Sequence, residues 1–441
     1  GSIIIVGVFI QFLQKKCTTS PFLLYLNCLE TSSKGVLCCM NFTMELPGLK
    51  GVTIEDIVEQ ENRILVYITI PVKEHICPAC GEKTTKIHDY RMRKIGHLPM
   101  WGRKTELMYK FRRYRCDCGK RFAEKSTFVQ RYQRYSKEAN QAMIIQSVKS
   151  KTFKDAAMML GTSISTIIRR FSKQAKVALS EGFRLPKAIA IDEFKADTDA
   201  GKYQLIIANA KTHEPIDILP NRRLKTIKTY LQKYGQDVEI IVMDMNGSFK
   251  AAVQQALAKP IIVADRFHFC RYIHWALDDV RRKVQKEMHP YDRKKCKKMR
   301  FVLHKNSANL SDEERWYLNR YLSLSPELKK AYELKEAYKQ WFTQAKEAID
   351  IKKVKDGLEA FYRKVEEANI PAFKKRIQTL KNWQVEVLNS FVFDYSNGFL
   401  EGINNKSKVL KRNAYGFRKY EHFKAKILLG HMYSKIELHV G

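Results

Sequence analysis

The spacing of apolar residues changes period several times along the chain, and each change predicts a different kind of element. From residue 186, short β-branched runs at Ala188–Asp192, Tyr203–Ala208 and Pro215–Leu219 read as strands. Helical spacing follows at Leu224–Tyr234, a strand at Val238–Asp244, a helix at Ser248–Leu257 and a strand at Ile261–Asp265. Residues 270–390 keep the 3.6 period throughout, with a capping box at Ser311-Asp-Glu-Glu314 and an N-cap with proline at Ser325-Pro326-Glu327. Trp275, Trp316, Trp341 and Trp383 read as packing residues of this helical unit. Upstream, Lys137–Ser150, Thr152–Leu160 and Ile164–Gln174 are helical, with Gly161 in the turn before the third. Residues 107–115 alternate basic and apolar positions, which predicts a strand with one basic face.

Three strands, helix, strand, helix, strand is the order of the ribonuclease-H-like fold, a mixed sheet flanked by helices. The expected class is therefore α/β: a ribonuclease-H-like catalytic domain with a helical insertion, preceded by a zinc-binding domain and a helix-turn-helix. The expected divisions are an extension at 1–44, a zinc-finger domain at 45–135 and a helix-turn-helix at 136–185. The catalytic domain would span 186–269 and 391–441, with the insertion at 270–390.

Composition narrows the function. The 441 residues are 45% hydrophobic, enough for packed cores. Eighty Lys+Arg against 46 Asp+Glu give a net charge of +34, and so large an excess points to a polyanionic partner, by default nucleic acid. No apolar run reaches the roughly 18 residues of a membrane-spanning helix. Of ten cysteines, Cys17, Cys28, Cys38, Cys39, Cys270 and Cys296 form no disulfide framework, so the thiols read as reduced and the protein as intracellular. Residues 1–39 carry few charges, and two readings stand side by side: upstream sequence before a start at Met40 or Met44, or a strand at Ile3–Ile10 that packs on the rest.

Cys77-Pro-Ala-Cys80-Gly81 and Cys116-Asp-Cys118-Gly119 are two knuckles separated by 35 residues. Four thiolates make a closed tetrahedral shell, which suits structural Zn²⁺. His75, His88 and His97 are substitute ligands of lower standing. Asp89–Tyr135 holds fourteen Lys/Arg against four acids, a net of +10, and includes Arg112, Arg113 and Arg115. Such a surface can track phosphates. In the helix-turn-helix, Ile164 and Ile167 should face inward, leaving Ser165, Thr166, Arg169 and Arg170 to read a major groove. Asp192 and Asp244 each end an apolar strand, and neighbouring strand ends would let both bridge Mg²⁺, which prefers hard oxygen ligands. Glu401, Asn404, Asn405 and Lys408 share a helical face near Lys406, Lys411 and Arg412, so a carboxylate could complete the metal site while the cations take phosphates.

At these residues the chain resembles bacterial insertion-sequence transposases of the ISL-three group. The resemblance rests on the CxxC and CxC knuckles, the helix-turn-helix, Ile191-Asp-Glu-Phe194, Met243-Asp-Met245, Asp265-Arg-Phe-His268, Ser396-Asn-Gly398 through Glu401-Gly402, Lys411-Arg412 and Tyr415-Gly-Phe417, over about residues 45–435. It implies a DDE triad at Asp192, Asp244 and Glu401 with two Mg²⁺ (or Mn²⁺), Asp192 bridging both metals. Asp265 is the runner-up third ligand, and Asp265 with His268 matches a (C/D)xxH string. The resemblance implies that finger and helix-turn-helix bind terminal inverted repeats of double-stranded DNA, and that the triad hydrolyses the ends and joins the 3′-hydroxyl to target DNA. A homodimer or higher oligomer on DNA, in the bacterial cytoplasm at the nucleoid and away from membranes, goes with that reading. A ribonuclease-H-like nuclease and a domesticated DNA-binding regulator are the rival readings.

Overall fold

The structure, a computed structural model, describes residues 49–180 and 184–434. The expected extension at 1–44, with its strand at Ile3–Ile10, lies outside the described residues.

The first unit is a sheet of β1 (Thr53–Gln60), β2 (Arg63–Thr69), β5 (Ile87–Gly96), β6 (Lys104–Arg115) and the short β7 (Arg121–Ala123). Its order is β1-β2-β6-β5, with β7 pairing β6 and β2 running parallel to β6. Ile64, Val66 and Ile68 alternate along β2 and meet Ile95, Leu107, Tyr109, Phe128 and Val129 in one buried cluster. The small hairpin β3 (His75–Ile76) and β4 (Lys83–Thr84) carries the first cysteine knuckle. Only the strand at 107–115 is legible in the sequence. β1 is an edge strand with no fully buried residue, so it carries no clean alternation.

Gly96 ends β5 where the ring of Tyr135 passes, and a Cβ there would lie 2.6 Å from that ring. The missing side chain lets the chain that enters the helix-turn-helix lie against the sheet. That motif comprises α1 (Lys137–Lys149), α2 (Phe153–Met159) and α3 (Ile164–Ser180). Ser136 caps α1, and Thr152 with Asp155 forms a reciprocal capping box on α2. Gly161 holds the turn at φ +58°, a conformation glycine adopts without strain.

The second sheet has the order β10-β9-β8-β11-β12, from β8 (Ala188–Thr198), β9 (Gly201–Asn209), β10 (Pro215–Leu219), β11 (Ile240–Met243) and β12 (Ile261–Ala264). β8, β9 and β10 form an antiparallel meander, and β11 and β12 extend it in parallel. Helices α4 (Leu224–Tyr234) and α5 (Gly247–Ala256) make the parallel connections. Alternate residues sort the two faces. Ile189, Ile191, Ile241 and Met243 face one core, and Ala188, Ala190 and Val242 face the other.

From Arg266 to Val392 the chain is helical: α6 (Arg266–Glu287), α7 (Pro290–Lys298), α8 (Arg300–His304), α9 (Asp312–Leu324), α10 (Pro326–Glu347), α11 (Ile351–Ala368), α12 (Pro371–Asn382) and α13 (Gln384–Val392). Its apolar faces continue the first of those cores, and Asn389 donates to the backbone of Ile262 at the edge of the sheet. Trp341 and Trp383 are buried there as expected, whereas Trp316 is exposed and Trp275 is partly so. The last two helices, α14 (Gly398–Asn413) and α15 (Tyr420–Ser434), cover the second core through Leu400, Ile403, Phe423 and Ile427. The far side of α15 packs on the helix-turn-helix, where Ala425 and Leu429 meet Val148 and Phe171. Lys426 lies beneath that contact and donates to the carbonyl of Ser150.

Candidate metal centres and nucleic-acid interface

β11 stops at Met243, with Val242 opposite Ala190 on β8. Continuing that parallel register by two residues sets Asp244 beside Asp192. Asp192 does not end its strand: β8 runs on to Thr198, because the residues after it pair with β9 down to Thr198↔Gly201. The carboxylates therefore meet where the shorter strand ends against the side of the longer one. β12 stops one residue before Asp265, which begins α6, and His268 follows one turn later.

Asp244, Asp265 and His268 form a tight cluster whose ligand atoms all lie within 4.8 Å of one another. His268 Nδ1 sits 3.1 Å from Asp244 Oδ2, and its Nε2 lies 3.9 Å from Asp265 Oδ2. Burial pushes the Asp192 carboxyl up to about 6, with the charges of Glu193 and Asp265 adding to it. Burial, then the charges of Asp192 and Asp265, push Asp244 up to about 7. His268 is drawn down to about 4 by burial and by the Arg271 cation. Negative charge is thus concentrated without enough protein cation to neutralise it. Asp244 Oδ1 is buried with no hydrogen-bond partner among the described residues, an acceptor in want of a donor or a cation.

Glu401 is exposed in the first turn of α14, outside the tight cluster, though its charge reaches His268. Asn404 does not share its outward face. It is 5% exposed, and its Nδ2 donates to Asp192 Oδ2 at 2.7 Å. Asn397, also buried, donates from its backbone to Asp265 Oδ1 and from Nδ2 to the carbonyl of Ile191. The cluster of Asn397, Asn404 and Asn405 around Glu401 is visible in the sequence, but the partners of these amides are not.

Cys77, Cys80, Cys116 and Cys118 converge at one point. Cys77 Sγ lies 3.7 Å from Cys118 Sγ, and Cys80 Sγ lies 3.4 Å from Cys116 Sγ. Gly81 (φ +79°) and Gly119 (φ +83°) close the two knuckles in the left-handed region. The backbone amide of Cys80 does most to draw the Cys77 thiol down to about 7. The histidines lie elsewhere: His97 bonds Ser136, and His75 packs on Tyr114.

The basic surface differs from the alternation read in the sequence. Arg112 is 9% exposed and pairs with Glu124, which also accepts from the Tyr109 hydroxyl, so this arginine is tied into the core. Arg113 pairs with Asp89, and Arg115 is exposed. On α3, Ser165 and Arg169 face outward. Thr166 turns inward against Ser163, and Ile164 is 44% exposed, the reverse of the expected orientation. A helix start sets this phase, because Ser163 caps the helix and draws Thr166 back toward it. Arg170 is half-buried over the Tyr135 ring. Lys406, Lys408 and Arg412 are exposed on α14, and Lys411 pairs with Asp197.

Among the described residues, no helix is long and apolar enough to cross a membrane. Residues 73–118 match the zinc-finger of transposases IS204, IS1001, IS1096 and IS1165, and residues 124–175 match the helix-turn-helix domain of transposase family ISL3. Residues 189–427, which contain the second sheet and its carboxylates, match a family described as transposase. A transposase of insertion sequence element IS1001 from Bordetella parapertussis is 25% identical over 399 residues, 87% of this chain and 96% of that protein. A Lactococcus lactis protein named as an ATP-dependent protease is 32% identical over 130 residues, 29% of this chain and 37% of its own. The zinc-binding knuckles and the DNA-binding helices precede the carboxylate sheet in the order of these matches, and the chain belongs to the ISL3 family of insertion-sequence transposases.

Proposed function

We propose that this transposase cuts and joins DNA at the carboxylate cluster of its second sheet, with Asp192, Asp244 and Glu401 as the acidic triad. The observation that carries the reading is the parallel pairing of β8 and β11, whose register continued by two residues brings two half-buried carboxylates side by side. A mixed sheet of order 3-2-1-4-5 with helices on both faces supports a ribonuclease-H-like catalytic domain at 186–269 and 391–441, interrupted by the insertion at 270–390. Residues 45–135 and 136–185 make up the zinc-binding and helix-turn-helix domains of the same reading.

The acidic residues fit divalent cations. Their oxygens are hard donors, burial and then neighbouring negative charge raise Asp192 and Asp244, and Asp244 Oδ1 has no hydrogen-bond partner among the described residues. Asp192, Asp244 and Glu401 would hold two Mg²⁺ or Mn²⁺, with Asp265 and His268 as accessory groups. Such ions, when bound, activate a water or 3′-hydroxyl and stabilise the leaving oxygen of an in-line phosphoryl displacement. The protein's own part is binding and orientation. Arg115, Ser165, Arg169, Lys406, Lys408 and Arg412 would contact double-stranded DNA at the terminal repeats and the target. Half-buried Arg113, Arg170 and Lys411 would assist from the rim, whereas Arg112 and Thr166 serve structure. The same reading has a homodimer or higher oligomer acting on DNA at the bacterial nucleoid. The family match does not favour the nuclease or regulator readings.

Strand transfer with a terminal-repeat duplex tests the assignment. Asp192→Asn, Asp244→Asn and Glu401→Gln should each lower joining at least roughly a hundredfold, as expected when several kcal/mol of charge stabilisation is lost, with DNA binding retained. Wild-type joining in Glu401→Gln together with loss in Asp265→Asn would move the third ligand to Asp265.

A further inference from the structure

We propose that Asn404 is a positioning residue that fixes the Asp192 carboxylate for cation binding from the same helix that carries Glu401. The proposal rests on the reading of Asp192 as a cation ligand.

Both oxygens of Asp192 are accounted for. Oδ1 accepts from the backbone N–H of Glu193 at 2.7 Å, within its own strand. Oδ2 accepts from Asn404 Nδ2, also at 2.7 Å, across 212 residues of sequence. The first bond is local and holds one oxygen only. The second comes from a separate element and holds the other oxygen, so the orientation of the whole carboxylate depends on both. A carboxylate oxygen keeps further acceptor capacity after one such bond, so an amide donor orients it without excluding a metal ion. A lysine or arginine at position 404 would neutralise the charge a cation needs, whereas a neutral amide does not.

The donor is itself held. Asn404 is 5% exposed, next to Ile403 in the second core, and Leu400 and Ser407 are buried on the same helix. Ser407 bonds back to the Ile403 carbonyl, so this turn is fixed on its inner side. About two turns earlier Asn397 ties the start of α14 to the backbone of Ile191, the residue before Asp192, and to Asp265. Two buried amides thus straddle Glu401 and bind its helix to the strands bearing the aspartates. Asn404 Oδ1 is buried without a hydrogen-bond partner among the described residues, so the bond to Asp192 is made by the other end of the amide. Outer partners of metal ligands act in this manner, and their removal typically lowers metal affinity or activity roughly 10- to 100-fold.

Mn²⁺ binding to the full-length protein, followed by calorimetry without DNA, tests this directly, with melting temperature and terminal-repeat binding measured in parallel. Asn404→Ala should weaken Mn²⁺ roughly 10- to 100-fold and reduce strand transfer, with melting in chelator and DNA binding close to wild type. If the alanine variant is unstable, Asn404→Leu keeps a similar volume and removes the donor without adding charge, and should lose Mn²⁺ affinity just the same. Asn404→Gln, which keeps the amide, should retain more affinity than either. Wild-type Mn²⁺ affinity in both Asn404→Ala and Asn404→Leu overturns the proposal, as does a loss that follows the fall in melting temperature across all three variants. Asp192→Asn separates the two readings. If it binds Mn²⁺ as wild type does, the assignment of Asp192 fails, and if it alone loses binding, only the role of Asn404 fails.

Discussion

Asp192 and Asp244 titrate well above the roughly 3.9 of an unfolded carboxylate, and this has a consequence for stability. Between about pH 4 and pH 7 these two carboxyls hold more protons in the folded chain than in the unfolded one, so their contribution to stability falls as pH rises, whereas His268, drawn down to about 4, contributes in the opposite sense over the same window. Melting followed from pH 4 to 8 in chelator should therefore show wild type losing stability relative to Asp244→Asn as pH rises. Millimolar Mn²⁺ should restore stability mainly at the upper end, where the carboxylates are charged. An identical slope in the Asn variant would show that Asp244 is not the source. Arginines diverge at the same scale. Arg112→Ala leaves Glu124 buried without its cation and should lower stability by about 3–5 kcal/mol. Arg169→Ala, on an exposed face, should leave melting unchanged and weaken discrimination between a terminal repeat and random DNA. Equal losses on the two DNAs would mark Arg169 as a phosphate contact instead.

Elements differ in how far local sequence determines them. The strand Ile261–Ala264, expected to run to Asp265, and the helix Leu224–Tyr234 are legible to within a residue, because each has a single apolar pattern bounded by polar or turn residues. β8 is longer than its apolar run: Glu193 to Thr198 mixes charged and apolar residues, and pairing with β9 alone carries the strand onward. Thr166 and Arg112 look like outward polar residues in any local window. Their burial follows from a cap at Ser163 and from Glu124 on another segment. The insertion reads as a separate domain, yet its core is continuous with one sheet face, which no helical period can reveal. The cysteine knuckles were fully legible, since short spacing and glycine fix their geometry locally. Four thiolates held this way should bind one zinc per chain and contribute directly to folding of the first unit. Metal analysis of the purified protein should find that zinc, and Cys77→Ser with Cys80→Ser should lower the melting temperature sharply. An unchanged melting curve in the double variant would leave the cluster without a structural metal.

Across the whole molecule, charge and architecture act together. The excess of +34 includes the described ion pairs within the protein, so much of it belongs to side chains without an acidic partner. Arg115, Arg169, Lys406, Lys408 and Arg412 are exposed on three different parts of the fold: the zinc-bearing sheet, the third helix of the helix-turn-helix and the helix that carries Glu401. The latter two are fixed relative to each other, because α15 is buried against both the helix-turn-helix and the second sheet. DNA held by Arg169 on one side therefore cannot shift freely relative to the carboxylates. Each phosphate neutralised by Lys or Arg releases counterions, so the logarithm of affinity should fall linearly with the logarithm of salt, with a slope near −0.9 per contact on duplex DNA. Titrations of a terminal-repeat duplex between about 50 and 200 mM salt should give a steep line. Lys408→Ala and Arg412→Ala, each removing one exposed cation, should each make it shallower by about one unit on terminal-repeat and random DNA alike. A slope that does not change in either variant would remove α14 from the DNA interface and leave phosphate binding to the first sheet and the helix-turn-helix.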